Sequence, residues 1–134
     1  MKTVEVVAAI IFYNNKILCV QRGENKYAYI SEKFEFPGGK IEAGESREEG
    51  IKREIREELK MDIEIHAPFL TVSHQYPDFH LIMHSFICKS ESTDVTLTEH
   101  ISYQWLTCDE LAHLDWAGAD IPIMEKLMAE KYAI

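Results

Sequence analysis

The stretch from Ser46 to Leu59 suits little but an amphipathic helix, and that helix dictates what the rest of the chain must supply. Ser46 and Glu49 have the spacing of a capping box, in which each side chain satisfies the other residue's backbone N–H. Ile51, Ile55 and Leu59 then recur every fourth residue, so an aliphatic stripe runs down a helix from Arg47 to about Leu59. Such a stripe needs an apolar surface to lie on, and the β-branched runs on either side offer a sheet. Gly50 is the residue least suited to this helix, costing about 1 kcal/mol relative to alanine, and points to another backbone packed closely against it.

The flanking pattern supplies the strands. Val4 to Tyr13 and Lys16 to Gln21 are apolar runs joined by Asn14-Asn15, a turn pair, and together they predict a hairpin. Arg22 to Lys33 is a polar loop. Phe34-Glu35-Phe36 alternates as a short strand does, Pro37-Gly38-Gly39 breaks it, and Lys40 to Gly44 leads into the helix. Three further strands are expected, at Ile63 to Ser73, His80 to Cys88 and His100 to Leu106, the first two joined through Tyr76-Pro77-Asp78. Thr107 with Glu110 caps a short helix through Leu114. Asp120, a good N-cap ahead of Pro122, opens a last helix ending near Lys131. Strands and helices do not alternate regularly, so the fold class is α+β with a mixed sheet rather than a doubly wound parallel one. One domain spanning residues 1–134, with no linker and no repeat, accounts for the whole pattern.

Composition narrows the partners. A net charge of -9 argues against a duplex nucleic-acid surface, where affinity comes largely from lysine and arginine on phosphates. The apolar run near the N-terminus is shorter than the roughly 20 residues a membrane span needs, so no membrane partner is expected. Cys19, Cys88 and Cys108 are odd in number and far apart, and fit reduced thiols in a cytoplasmic protein. A monomer or a homodimer is expected. Negative charge does not bar a small phosphorylated ligand, because clustered carboxylates can hold divalent cations that reverse the local sign.

The helix carries such a cluster. Residues three and four apart share a helix face, so Glu54, Glu57 and Glu58 are expected to project together into one patch. Like charges one turn apart repel unless solvent, arginine or a cation relieves them, and Mg2+ suits carboxylates combined with waters and substrate phosphates. The alternative is a solvated charged face.

The segment GKIEAGESREEGIKREIREELKM, Gly39 to Met61, resembles the Nudix box. Gly39, Glu45, Arg53-Glu54-Ile55 and Glu57-Glu58 stand at its fixed spacings, and the one departure is Lys60 in place of a glycine. Beyond the box, Glu5 to Ile11, Glu35 to Lys40 and Ala119 to Pro122 resemble the MutT-like branch. The resemblance implies an α/β/α sandwich around a mixed sheet, with a loop-helix-loop catalytic motif. It also implies hydrolysis of a nucleoside triphosphate to a monophosphate and pyrophosphate, supported by Mg2+ or in its place Mn2+. Glu57 and Glu58 resemble the main metal ligands, Glu54 a ligand or the water's base, and the Gly38 carbonyl a further ligand. Arg53 and Glu45 resemble supporting catalytic residues, and Glu99 resembles a glutamate outside the box with metal or base work. Arg22 and Lys40 correspond to phosphate-binding cations.

Where MutT-type enzymes for oxidised guanine read the base with asparagine, this chain has Asp120, which places it nearer the bacterial CTP pyrophosphohydrolases. A carboxylate accepts from the exocyclic amine of cytosine, though purine amines can also be met. An oxidised-guanine substrate, another nucleoside diphosphate derivative and a non-catalytic nucleotide sensor are the alternatives. Tyr76 and Phe79, and with them Tyr29 and Trp116, are candidate stacking platforms. His74, His80 and His84 lie on or beside the middle strands, where packing or rim roles are expected because a zinc site lacks a third ligand of clear spacing.

Overall fold

A computed structural model describes residues 1–134. The hairpin forms as expected, β1 (Thr3–Tyr13) and β2 (Lys16–Gln21) turning through Asn14 and Asn15, both at positive φ. β3 (Phe34–Glu35), β4 (Gly38–Lys40), α1 (Arg47–Leu59), β5 (Glu64–Gln75), β6 (His80–Lys89), β7 (Ser102–Leu106) and α2 (Ile121–Glu130) follow. One seven-stranded sheet runs β3-β2-β1-β6-β5, with β4 on β1 and β7 on β2. It is mixed, since β1 and β6 run parallel and the other pairs antiparallel.

Both faces of β1 are buried, which is why its centre is a continuous apolar run rather than an alternation. Val7, Ala9 and Ile11 point to one layer with Ile51, Ile55 and Leu59 of α1. Ala8, Ile10 and Phe12 point to the other with Ile123 and Leu127 of α2. The three α1 aliphatics are fully buried, each stabilising the docked helix by roughly 1.5–3 kcal/mol, so the layers form the expected α/β/α sandwich.

Three local expectations need correction. Gly38 and Gly39 do not break the chain but pair with Ala8 and Val7 as β4. A Cβ on Gly38 would sit 1.9 Å from the Val7 carbonyl oxygen, so only glycine permits that approach. Asp120 stands at the N-cap position of α2 as expected, but in a helical conformation, and its side chain makes no cap bond. Trp116 is core, with its indole N–H donating to the Leu111 carbonyl at 2.7 Å and its ring stacked on Phe36.

The α1 termini behave as the sequence requires. Ser46 Oγ accepts from the Glu49 N–H while the Glu49 carboxylate accepts from the Ser46 N–H. At the other end Lys60 takes the left-handed conformation, φ 56° and ψ 38°, and its N–H donates to the Arg56 carbonyl. That conformation costs a residue with a Cβ about 1 kcal/mol more than glycine. Lys60→Gly is therefore expected to stabilise the protein by about 1 kcal/mol, raising the melting temperature by about 3 °C in calorimetry.

Candidate active site

Arg53 organises the box through its fork of donors. Nε and Nη2 donate to the two oxygens of Glu45 at 2.6 and 3.0 Å, Nη2 also to the Lys40 carbonyl, and Nη1 to Glu54 and Glu57 at 3.0 and 3.2 Å. The two-pronged pairing with Glu45 closes the 40–45 loop onto the helix, and Glu45 bends back to accept from the Glu42 N–H. These bonds hold the Glu45 carboxyl below its usual range, with Arg53 the larger cause. Gly50 is explained by the same closure. A Cβ there would lie 3.3 Å from a Glu45 oxygen and within 4 Å of the Ile41 backbone, so a carboxylate approaches it more closely than the backbone does.

The three α1 glutamates stay linked, Glu54 and Glu57 through the same Arg53 Nη1 and Glu54 beside Glu58, but they differ in how far each is covered. Glu54 is mostly covered and lies against Gly39, where a Cβ would stand 2.5 Å from its carboxyl. Glu57 is 60% exposed, touches only Arg53 among charged groups, and sits on the outer surface. Glu58 turns inward, is buried, and leaves its Oε2 with no hydrogen-bond partner. Burial first, then the neighbouring carboxylates Glu54, Glu35 and Glu99, push the Glu58 carboxyl up to about 9.

Glu99 reaches this spot because the preceding segment caps α1. The Thr96 and Thr98 N–H groups donate to the Leu59 and Glu58 carbonyls, and the Thr98 hydroxyl donates to the Glu58 carbonyl as well. Sequence reasoning missed two residues beside it. Glu35 accepts from Arg22 Nη1 at 3.4 Å, and its other oxygen lies 3.0 Å from His100 Nε2. The His100 side chain is only 5% exposed and its Nδ1 has no partner. Neither residue carried a signal, since a lone strand glutamate and a lone histidine are ordinary.

These groups line one cleft of about 650 Å³. Gly38, Gly39, Lys40, Arg22, Glu58 and Glu99 lie along it, as do Asp120, Tyr76 and Phe79, whereas Glu54 and Glu57 do not line it. Asp120 is buried, and its Oδ1 accepts from the Phe36 N–H at 2.9 Å, tying the start of α2 to the chain beyond β3. Burial, with Glu35 nearby, raises its carboxyl well above the usual range. Tyr76 is held by its hydroxyl oxygen, which accepts from the Ala119 N–H.

No three His, Cys, Asp or Glu side chains converge as a ligand set. The histidines are separately engaged, His84 by Glu5 and Thr71, His80 by Ser73 and Gln75. A hard cation such as Mg2+ needs no such side-chain trio, because it takes most of its ligands from waters, carbonyls and phosphates. The partnerless Glu58 oxygen among three other carboxylates lacks the positive charge such an ion supplies.

A family model described as the NUDIX domain matches residues 2–127. The CTP pyrophosphohydrolase of Escherichia coli (strain K12) is 38% identical over 136 residues, covering 99% of this chain and 97% of that protein. The 8-oxo-dGTP diphosphatase of the same organism is 29% identical over 128 residues, covering 95% and 98%. Among solved structures, the E. coli ORF135 protein matches with a TM-score of 0.80 at 31% identity, over 96% of this chain and 91% of that one. The DNA mismatch repair protein MutT of methicillin-resistant Staphylococcus aureus 252 matches with a TM-score of 0.74 at 41% identity, over 97% of this chain and 99% of that one. The chain belongs to the NUDIX domain family. It is accordingly an enzyme, a hydrolase of nucleotide acid anhydrides.

The raised Glu58 carboxyl fixes a pH dependence. A carboxyl whose folded value lies above its unfolded one favours folding most below the unfolded value of 4.5, and that contribution is lost as pH rises towards 9. In EDTA, Glu58→Gln should therefore melt above wild type by several degrees at pH 8, with the gap shrinking towards pH 5 in a calorimetric series. An equal gap at both pH values would contradict the assignment.

Proposed function

We propose that the chain is a divalent-cation-dependent nucleoside triphosphate pyrophosphohydrolase that prefers cytosine nucleotides or their modified forms, working in the cytoplasm on the nucleotide pool. The observation carrying the reading is the buried Glu58 carboxyl, one oxygen of which has no partner, on the cleft that Arg22, Lys40 and Asp120 also line. In this reading Glu57, Glu58, Glu54, Glu99 and the Gly38 carbonyl would hold Mg2+ or Mn2+, with Glu54 as the alternative base. Such an ion, when bound, offsets phosphate charge and lowers the pKa of a water.

The chain's own residues do the rest. Arg22 and Lys40 offer cations to the phosphates, and Arg53 with Glu45 keeps Glu54 and Glu57 in place. Water adds to one phosphorus of the triphosphate as the bridging P–O bond breaks, leaving a monophosphate and pyrophosphate. At the base, Asp120 Oδ1 is committed to the Phe36 N–H, and Oδ2 makes no protein hydrogen bond. A cytosine N4 amine satisfies it, and Tyr76 and Phe79 supply ring faces. The 38% identity to a CTP pyrophosphohydrolase supports cytosine over oxidised guanine, and three free cysteines, Cys19, Cys88 and Cys108, support a reducing compartment.

Pyrophosphate release measured with Mg2+ over CTP, dCTP, 5-methyl-dCTP, 8-oxo-dGTP, dGTP and dATP should be led by a cytosine nucleotide. A lead by 8-oxo-dGTP would move the enzyme to oxidised-guanine clearance, and binding without turnover would make it a sensor. Glu57→Gln, at an exposed position, should fold normally yet lose about a hundredfold or more of turnover; unchanged turnover would remove Glu57 from the ligand set.

A further inference from the structure

The loop from Arg22 to Lys33 contains no strand, yet it is ordered by its own bonds. Asn25 Oδ1 accepts from the Tyr27 N–H, Ser31 Oγ accepts from the Asn25 N–H, and the Ile30 and Ser31 N–H groups donate to the Tyr27 carbonyl. From this loop Tyr29 reaches across to the turn between β5 and β6, where its hydroxyl donates to Asp78 Oδ2 at 2.6 Å. Its ring lies between two others, stacked on Tyr27 at 5.3 Å and 11° and on Tyr76 at 5.1 Å and 16°. Phe79 leans on Tyr76 and Tyr27 from the side. Tyr27, Tyr76, Asp78 and Phe79 all line the cleft.

The stack leads to the base end of the cleft. Tyr76 is the ring on which Tyr29 rests, its hydroxyl oxygen takes the Ala119 N–H, and Asp120 is the next residue. At its root the same loop carries Arg22, the cation bonded to Glu35. One latch therefore ties together the loop, the ring beside the base and the backbone next to Asp120. Resting on the nucleotide reading above, we propose that Tyr29 and Asp78 form a latch that presets the width of the base pocket and the position of Asp120, making both positioning residues for nucleotide selection.

Stacking and the hydrogen bond contribute separately, so they can be separated. Tyr29→Phe keeps the three-ring stack and removes only the donor, whereas Asp78→Asn keeps an acceptor oxygen and should behave close to wild type. With the preferred triphosphate, Tyr29→Phe and Asp78→Ala should each raise KM about three- to tenfold with kcat within about twofold, and the CTP to UTP preference should fall by a similar factor. The Tyr29→Phe/Asp78→Ala double variant should be no worse than either single one, since both remove the same bond. Unchanged KM, equal losses in kcat and KM with preference kept, or additive effects would each overturn the latch.

A second measurement needs no substrate. Trypsin cleavage after Lys26 in the free protein should be faster in Tyr29→Phe and Asp78→Ala than in wild type and Asp78→Asn. If wild type turns over no triphosphate, the functional reading fails while this measurement still decides the latch; equal cleavage rates would sink it.

Discussion

A strand has two edges, and β1 has three partners. β6 takes one edge along its length, while the other is shared by β2 at Phe12–Tyr13 and β4 at Val6–Ala8. The sharing forces β2 away to pair with β7 and β3, and the sheet forks. Glu35 on β3, Gly38–Lys40 on β4 and Glu99 before β7 thereby come to line one cleft although they are far apart in sequence. The requirement for glycine at 38 follows from the same crowding, because β4 lies too close to Val7 for a side chain.

Against that scaffold α1 handles its carboxylates in two ways. Glu45, Glu54 and Glu57 share the guanidinium of Arg53, so their charge is balanced within the protein. Glu58, four residues on from Glu54 and pressed inward, has no such counter-charge. A buried ionised carboxylate without a counter-charge is costly, so burial favours its protonated form in the absence of a cation. The chain thus keeps a satisfied half of the motif, which holds the loop shut, beside an unsatisfied half, which faces the cleft.

The Asp120 end of the cleft rests on packing instead of charge balance. Asp120 is anchored by one backbone N–H, Tyr76 by another, and Tyr29 bridges from the loop to Asp78. Each bond joins elements distant in the chain, so the pocket's dimensions depend on the assembled fold as a whole. Rings that are individually unremarkable in sequence become a wall only when three of them stack.

The sequence by itself determined the hairpin, the capped α1, every strand position but that of β4, the mixed character of the sheet and the box residues, because each follows from neighbours within a few positions: turn residues, caps, periodicity and fixed spacing. Lys60 in the left-handed conformation belongs with these, since a helix end obeys local rules. Tertiary structure alone decided which carboxylate faces the cleft, that Gly38 and Gly39 pair as a strand, that Asp120 bonds to Phe36 instead of capping α2, and that Trp116 is core. Helical periodicity places Glu54, Glu57 and Glu58 near one another, but only the assembled fold decides how far each is covered, with Glu58 buried and Glu57 60% exposed. Glu35 and His100 carried no local mark because their partners lie 13 or more positions away, and such contacts exist only once long-range pairing has closed the sheet.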